Sequence, residues 1–331
     1  IRSGNFGLRI QTTDITITNE LDIQGGTLTD NSNNIYVQGD CNFDGMHVYG
    51  GTGNGITFNG STEQQLTGTG TFGKITIDNT NDVMVPLGNN LTVTDALNLQ
   101  SGVFNIGKNL LTLSLGADIE GAPFSSSNMI QTNISFTDYG VKKILPSGSS
   151  TFVYPIGSEG KYTPVTMTIT GNGNSTGSIT VKAADERHPS IQEDSESPDP
   201  EITDADNVLQ YHWVLRSSGI SGFTATVDMK YDPADVMVTA PYDIYDYITA
   251  RLLNDGSGNW SKYDDTTKFD ETSELLIFDF AGVSDAEISG DYTAGVDGST
   301  FNGAIPDQVS SYETNSSGNW ITGTIWTPNV S

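Results

Sequence analysis

The sequence predicts an all-β protein: a right-handed parallel β-helix over residues 1–135, an immunoglobulin-like β-sandwich over 136–300, and a tail over 301–331. Three observations lead there. Apolar–polar–apolar triplets recur about every 20 residues in the first part. Longer alternating stretches fill the second. No segment of useful length carries the 3.6-residue apolar period of an amphipathic helix.

The triplets are Ile15-Thr16-Ile17, Ile35-Tyr36-Val37, Ile56-Thr57-Phe58, Ile75-Thr76-Ile77, Leu91-Thr92-Val93 and Leu111-Thr112-Leu113. Their starts lie 20, 21 and 19 residues apart as far as Ile75, and Leu91 to Leu111 is again 20. Only the step of 16 after Ile75 breaks the period. Each triplet reads as a short strand with one buried face. The links between them, such as Gly25-Gly26, Asp30-Asn31 and Gly88-Asn89-Asn90, carry turn chemistry. Residues 15–37 also align without gaps on 91–113, an offset of 76, with Thr16/Thr92, Thr18/Thr94, Leu21/Leu97, Gln24/Gln100, Gly26/Gly102 and Asn33/Asn109 identical. That offset is close to four periods of about 19. Strands this short, with no room for helices between them, suit stacked coils in which Asn or Thr form hydrogen-bonded ladders. An antiparallel sandwich of evenly spaced hairpins is the alternative that the same spacing leaves open.

From Phe136 onward the strands lengthen: 151–155, 164–170, 178–184, 209–217, 223–231, 247–253 and 274–280. Seven strands separated by turn clusters predict the sandwich, with Trp213 plugging the space between its sheets. Cys41 is the one cysteine, so packing alone must hold the chain together.

Charge narrows the function classes. The 331 residues carry 41 acidic against 14 basic side chains, a formal −27. Residues 1–150 hold 13 acids and 6 bases, and 151–331 hold 28 and 8, so −20 of the −27 belongs to the second part. Such a chain is repelled by nucleic acid and anionic lipid. No stretch reaches the roughly 20 apolar residues of a membrane span, so direct membrane insertion is not expected. The start, Ile1-Arg2-Ser3-Gly4, has neither Met nor a signal-peptide layout, which suggests a processed product or a fragment.

The densest acidic run, 185–206, contains the candidate calcium ligands Asp194, Glu196, Asp199, Glu201, Asp204 and Asp206. Calcium takes six to eight oxygen ligands, and acidic loops of extracellular sandwiches can supply them. A solvated loop without metal is the competing reading. Asp264, Asp265, Asp270 and Glu271 form a second acidic group. No other cofactor is expected. His47, His188 and His212 stand far apart with no HExxH or GxSxG motif, and His212 is expected to be a strand residue with an exposed ring. The first 150 residues offer only Arg2, Arg9, Lys74, Lys108, Lys142 and Lys143 to bind acidic sugars, so no catalytic residue is assigned and the protein is read as non-enzymatic. The glycine-rich runs 51–55 and 68–73 lack the strand–loop–helix context of phosphate cradles and are turns. Tyr49, Tyr242, Tyr245 and Tyr247 are candidate stacking platforms for a glycan, or ordinary strand residues.

The run GTGTFGKITIDNT…LGNNLTVTDALNLQSGVFNIGKNLLTL (68–113) resembles repeats of large modular secreted surface proteins of Bacteroidetes. The resemblance continues through FVYPIGSEGKYTPVTMTI (152–169), GSITVKAAD (177–185), LQYHWVL (209–215), ISGDYTAG (288–295) and the tail SSGNWITGTIWTPNVS (316–331). It implies an exported, adhesin-like or filamentous protein, outside the cell or on its surface, often a substrate of type IX secretion. It carries over no catalytic residues. The sorting domain that usually closes such chains is not visible in the sequence. Ser3-Gly4-Asn5-Phe6 echoes Ser317-Gly318-Asn319-Trp320, which suggests units joined head to tail, with copies of the chain, neighbouring modules or surface glycans as partners.

Overall fold

The computed structural model describes residues 2–3, 7–133, 139–158, 160–191, 205–254, 256, 258–263, 268–296, 309–314 and 326–330. The chain is all-β and begins with a parallel β-solenoid of about six turns. Parallel pairing between successive triplets excludes the hairpin alternative.

Each coil visits three faces in turn. One face stacks Arg2–Ser3, Leu21–Ile23, Cys41–Phe43, Gln64–Thr67, Val83–Met84, Phe104–Gly107, Ile130–Thr132 and Ile156–Ser158. The second stacks Leu8–Arg9, Thr27–Thr29, Met46–Val48, the start of Thr71–Asp78, the start of Leu91–Ser101, Leu110–Leu113 and Gly140–Ile144. The third stacks Ile15–Ile17, Ile35–Val37, Ile56–Phe58, the ends of those two long strands, and Asp118–Glu120.

The periodic triplets are the inward columns of these faces. Ile15, Ile35, Ile56 and Ile75 stand in register, and the next members are Leu97 and Ile119. Leu91 belongs to another face, where it stacks on Leu111 and then Val141. The step of 16 after Ile75 is therefore a change of face. The offset of 76 likewise spans three full coils and two further faces rather than four whole turns. The three faces share one apolar–polar–apolar pattern, so a gap-free alignment can match strands that never stack.

Side-chain ladders at the corners bind coil to coil. Asp14 accepts from the Asn34 amide N–H at 2.8 Å, and Asn34 Oδ1 accepts from Asn54 N at 2.7 Å. Asp40, Asp44, Asp82 and Asn90 do the same for Gln65, Thr69, Val103 and Leu110. These bonds satisfy backbone amides in the turns and at the starts of strands. The ladders expected of Asn or Thr are met in part, by Asn, while Asp takes the place expected of Thr in accepting backbone N–H groups. Inside, Phe43 stacks on Phe72 with centroids 4.4 Å apart. Gly102, at φ +82°, passes so close to Asn79 that a Cβ there would lie 1.7 Å from its carbonyl oxygen. Only glycine can occupy that corner.

The solenoid runs directly into the second part. Gly140–Ile144 pairs in parallel with Leu110–Leu113 on one side and antiparallel with Ser178–Ala184 on the other. The sheet then continues through His212–Ser218, Gly290–Val296, Tyr247–Leu253 and Trp260–Tyr263. A second antiparallel sheet, ordered Gly148–Tyr154, Val165–Asn172, Ser221–Lys230, Leu275–Ser284 and Phe269–Asp270, packs against it. Contacts across the layers include Phe278 edge-on to Tyr292, centroids 4.8 Å apart, and Tyr154 Oη donating to the Ile179 carbonyl at 3.1 Å. One contiguous apolar cluster extends from Ile10 in the first coils to Val296 at the end of Gly290–Val296. Trp213 is fully buried within it, its Nε1–H donating to the Thr163 carbonyl at 3.1 Å. Within the predicted tail, Val309–Thr314 and Trp326–Val330 pair antiparallel.

Candidate functional site

Charged and polar groups converge where the solenoid meets the antiparallel sheets. Lys161 lies on Lys161–Tyr162, the strand that ends the nine-stranded sheet by folding back on Ile156–Ser158. Asp185 directly follows Ser178–Ala184. Asp235 closes the 3-10 turn Pro233–Asp235, which is set by Pro233 and by Asp232 accepting from the Ala234 N–H at 2.9 Å. These three side chains line a cleft of about 600 Å³ together with Glu186, Ile191 and Gln210.

Lys161 Nζ is shared between two carboxylates, at 2.6 Å from Asp185 Oδ1 and 2.5 Å from Asp235 Oδ1. Asp235 is the more deeply placed, its side chain 5% exposed against 18% for Asp185. Its second oxygen, Oδ2, is buried with no hydrogen-bond partner. Burial raises the pKa of Asp235, and Lys161 only partly offsets this, so the carboxyl sits above its usual range. Burial alone would lower the pKa of Lys161. The hydrogen bonds to Asp185 and Asp235 outweigh it and raise the ammonium above its ordinary value.

A second polar node adjoins the first. His188 Nε2 lies 3.1 Å from Asp291 Oδ2, and the Ser190 N–H donates to His188 Nδ1 at 3.1 Å, so the ring proton sits on Nε2 and faces the carboxylate. Arg216 Nη2 pairs with Asp291 Oδ1 at 2.7 Å. Burial works against the charge on Asp291, but His188 and Arg216 prevail and hold the carboxyl below its ordinary range. The His212 ring packs edge-on to His188, centroids 4.8 Å apart, and its Nδ1–H donates to the Glu186 carbonyl at 2.9 Å. Burial, reinforced by His188, pushes the His212 pKa down to about 4. The exposed ring expected of His212 is therefore corrected. Its strand turns that side chain inward, and the ring is buried. His47 is buried elsewhere, in the solenoid, with Nε2 3.2 Å from Asp30 Oδ2.

Of the predicted calcium ligands, Asp194, Glu196, Asp199, Glu201 and Asp204 lie outside the described residues, as do Asp264 and Asp265. Asp206 is exposed on the 3-10 turn Ala205–Asn207. Asp270 accepts from the Thr272 and Ser273 N–H groups and so serves its own turn. Among the described residues, no group of three His, Cys, Asp or Glu side chains is placed to hold a metal ion.

The tyrosines divide. Tyr245 is 75% exposed and Tyr242 36%. Tyr49 is half-buried, with its hydroxyl donating to the Gly53 carbonyl at 2.9 Å and Lys74 over its ring. Tyr247 is buried, its hydroxyl bonded to the Met237 carbonyl, so it is no platform. Sequence reasoning missed the Lys161 node altogether. Its members are 24 and 74 residues apart, and no local spacing marks them. The only available signal was Asp185 at the edge of the acidic run.

No family model, curated protein or solved structure matches this chain.

Proposed function

We propose that the chain is a non-enzymatic structural or adhesive segment of an extracellular bacterial surface protein. The observation that carries this reading is the continuous core. The three solenoid faces and the antiparallel layers share one apolar interior, which suits a stiff spacer. Stacked coils at about 4.8 Å per step give such a unit a set length that neighbouring modules can extend. The formal charge of −27 supports a solvated life outside the cell and argues against nucleic acid as a partner. The two face-packed antiparallel sheets around Trp213 support an immunoglobulin-like reading of the second part. The sequence resemblance supports a modular surface protein of the Bacteroidetes kind, exported by the type IX route. Its partners are further modules or copies of itself, joined head to tail. Electron microscopy of the protein in its native setting should show a filament or a projecting stalk. Isolated globular particles in solution would overturn the reading.

A second reading, a glycan-binding module, is favoured by one observation: Tyr245 and Tyr242 expose their rings on the 240–246 segment. A glycan array with wild-type and Tyr245→Ala protein separates the two. Binding that disappears in the variant supports the module.

A further inference from the structure

We propose that Lys161 and Asp235 become joined by an intramolecular amide bond, with Asp185 acting as the base that prepares the lysine. The geometry points to this modification for three reasons.

First, the reacting groups already touch. A carboxyl oxygen 2.5 Å from Nζ places the carboxyl carbon no more than about 3.7 Å from the same nitrogen, because the C–O bond adds at most about 1.2 Å. Well-oriented groups about 3–3.5 Å apart reach effective molarities of about 10⁵–10⁸ M, and this pair lies close to that separation, which favours a condensation that free amines and acids in water do not undergo. Second, the two carboxylates are unequal. Asp185 is the more exposed, and its carboxylate oxygen lies 2.6 Å from Nζ. Asp235 is sunk into the wall, where burial works against its charged form, and a neutral acid is the form that a nitrogen can attack. Third, Asp235 Oδ2 is buried with no partner. An unpaired oxygen of a buried carboxylate is costly, whereas an amide carbonyl in that position carries no net charge.

The step balances without any other reactant. Lys161 rests as an ammonium, held in that form by its two carboxylate partners, and reacts through the small fraction that has passed one proton to the Asp185 carboxylate 2.6 Å away. The free amine attacks the carboxyl carbon of Asp235. The N–C bond forms, the C–OH bond breaks, the hydroxyl leaves as water with one of the two protons still on the amine, and the proton taken by Asp185 passes to solvent. The cleft is open, so that water can leave. The product links the strand that closes the solenoid to the turn that follows Ser221–Lys230, and it removes one ion pair from a partly buried site.

Intact-mass spectrometry of the purified, folded 331-residue chain tests this directly. The wild-type mass is expected to be lower than the sequence mass by one water. Trypsin should then leave residues 144–182 uncut at Lys161 and attached to residues 231–251. Lys161→Arg keeps the positive charge but offers no nucleophilic amine, and it should show the full sequence mass. Asp185→Asn should fold, as followed by circular dichroism, and show mostly uncondensed chain. A wild-type protein at its full sequence mass overturns the proposal. So does a one-water loss that persists in Lys161→Arg, or a cross-link that maps to Asp185 rather than Asp235.

Discussion

Replacing Asn109 by Ala should be among the most damaging single changes in the solenoid. The side chain is 1% exposed and makes four hydrogen bonds at a corner. Its Oδ1 accepts from Gly88 N at 2.8 Å and from Asn89 N at 3.1 Å, while its Nδ2 donates to the Val85 and Ile106 carbonyls, each at 2.8 Å. After truncation the Ile106 carbonyl keeps a bond from the Asn109 N–H. Val85 O is left buried without that donor, at about 2 kcal/mol. Gly88 N and Asn89 N face partial hydration, at about 1 kcal/mol each. The total is about 4 kcal/mol, a large share of the 5–15 kcal/mol typical of folded domains. Urea unfolding followed by circular dichroism should show a lower midpoint with an unchanged slope. Asn109→Asp retains the acceptor and loses both donations, so it should fall about midway. A loss below about 1 kcal/mol for Asn109→Ala, or an Asp variant as stable as wild type, would refute the idea that corner amides lock one coil to the next.

Three further outcomes follow from named contacts. Gly102→Ala places a Cβ 1.7 Å from the Asn79 carbonyl oxygen at a positive φ, and it should cost about 3 kcal/mol or more in the same urea assay or prevent folding. Burial lowers the His212 pKa to about 4 from its ordinary 6.5. Between those values the unfolded chain binds a proton that the folded chain does not, so stability falls as pH drops through the window, by up to about 3 kcal/mol. His212→Gln should flatten that part of a stability–pH curve, and an unchanged slope would show that other groups produce it. Asp285 accepts from Ser217 Oγ, Gly219 N and Ile220 N. Asp285→Ala should lower stability by about 2–3 kcal/mol and speed hydrogen exchange at Gly219 and Ile220.

Much of the fold was legible along the chain because its rules are local. An apolar–polar–apolar triplet buries one side wherever it stacks, and Gly, Asn and Asp turn the chain wherever they cluster. The strands of the second part were legible for the same reason. The expected segment 178–184 matches the strand Ser178–Ala184, and 247–253 matches Tyr247–Leu253. The phase of the coils was not legible. Ile75 and Leu91 look like consecutive beats, yet one stacks on Leu97 and the other on Leu111. Side-chain orientation at polar strand positions was hidden too, which is why His212 and Tyr247 proved buried.

The sequence by itself determined that this protein is all-β, that its first part repeats about every 20 residues, and that most of its negative charge lies in the second part. Those properties depend on residue type and spacing, which a linear chain carries in full. Which strands meet, that one apolar cluster runs from the solenoid into the antiparallel sheets, and that Lys161, Asp185 and Asp235 share a single cleft are visible only in the tertiary structure. Contacts between residues 24 and 74 positions apart arise from stacking coils and closing sheets, and no local pattern in the chain records them.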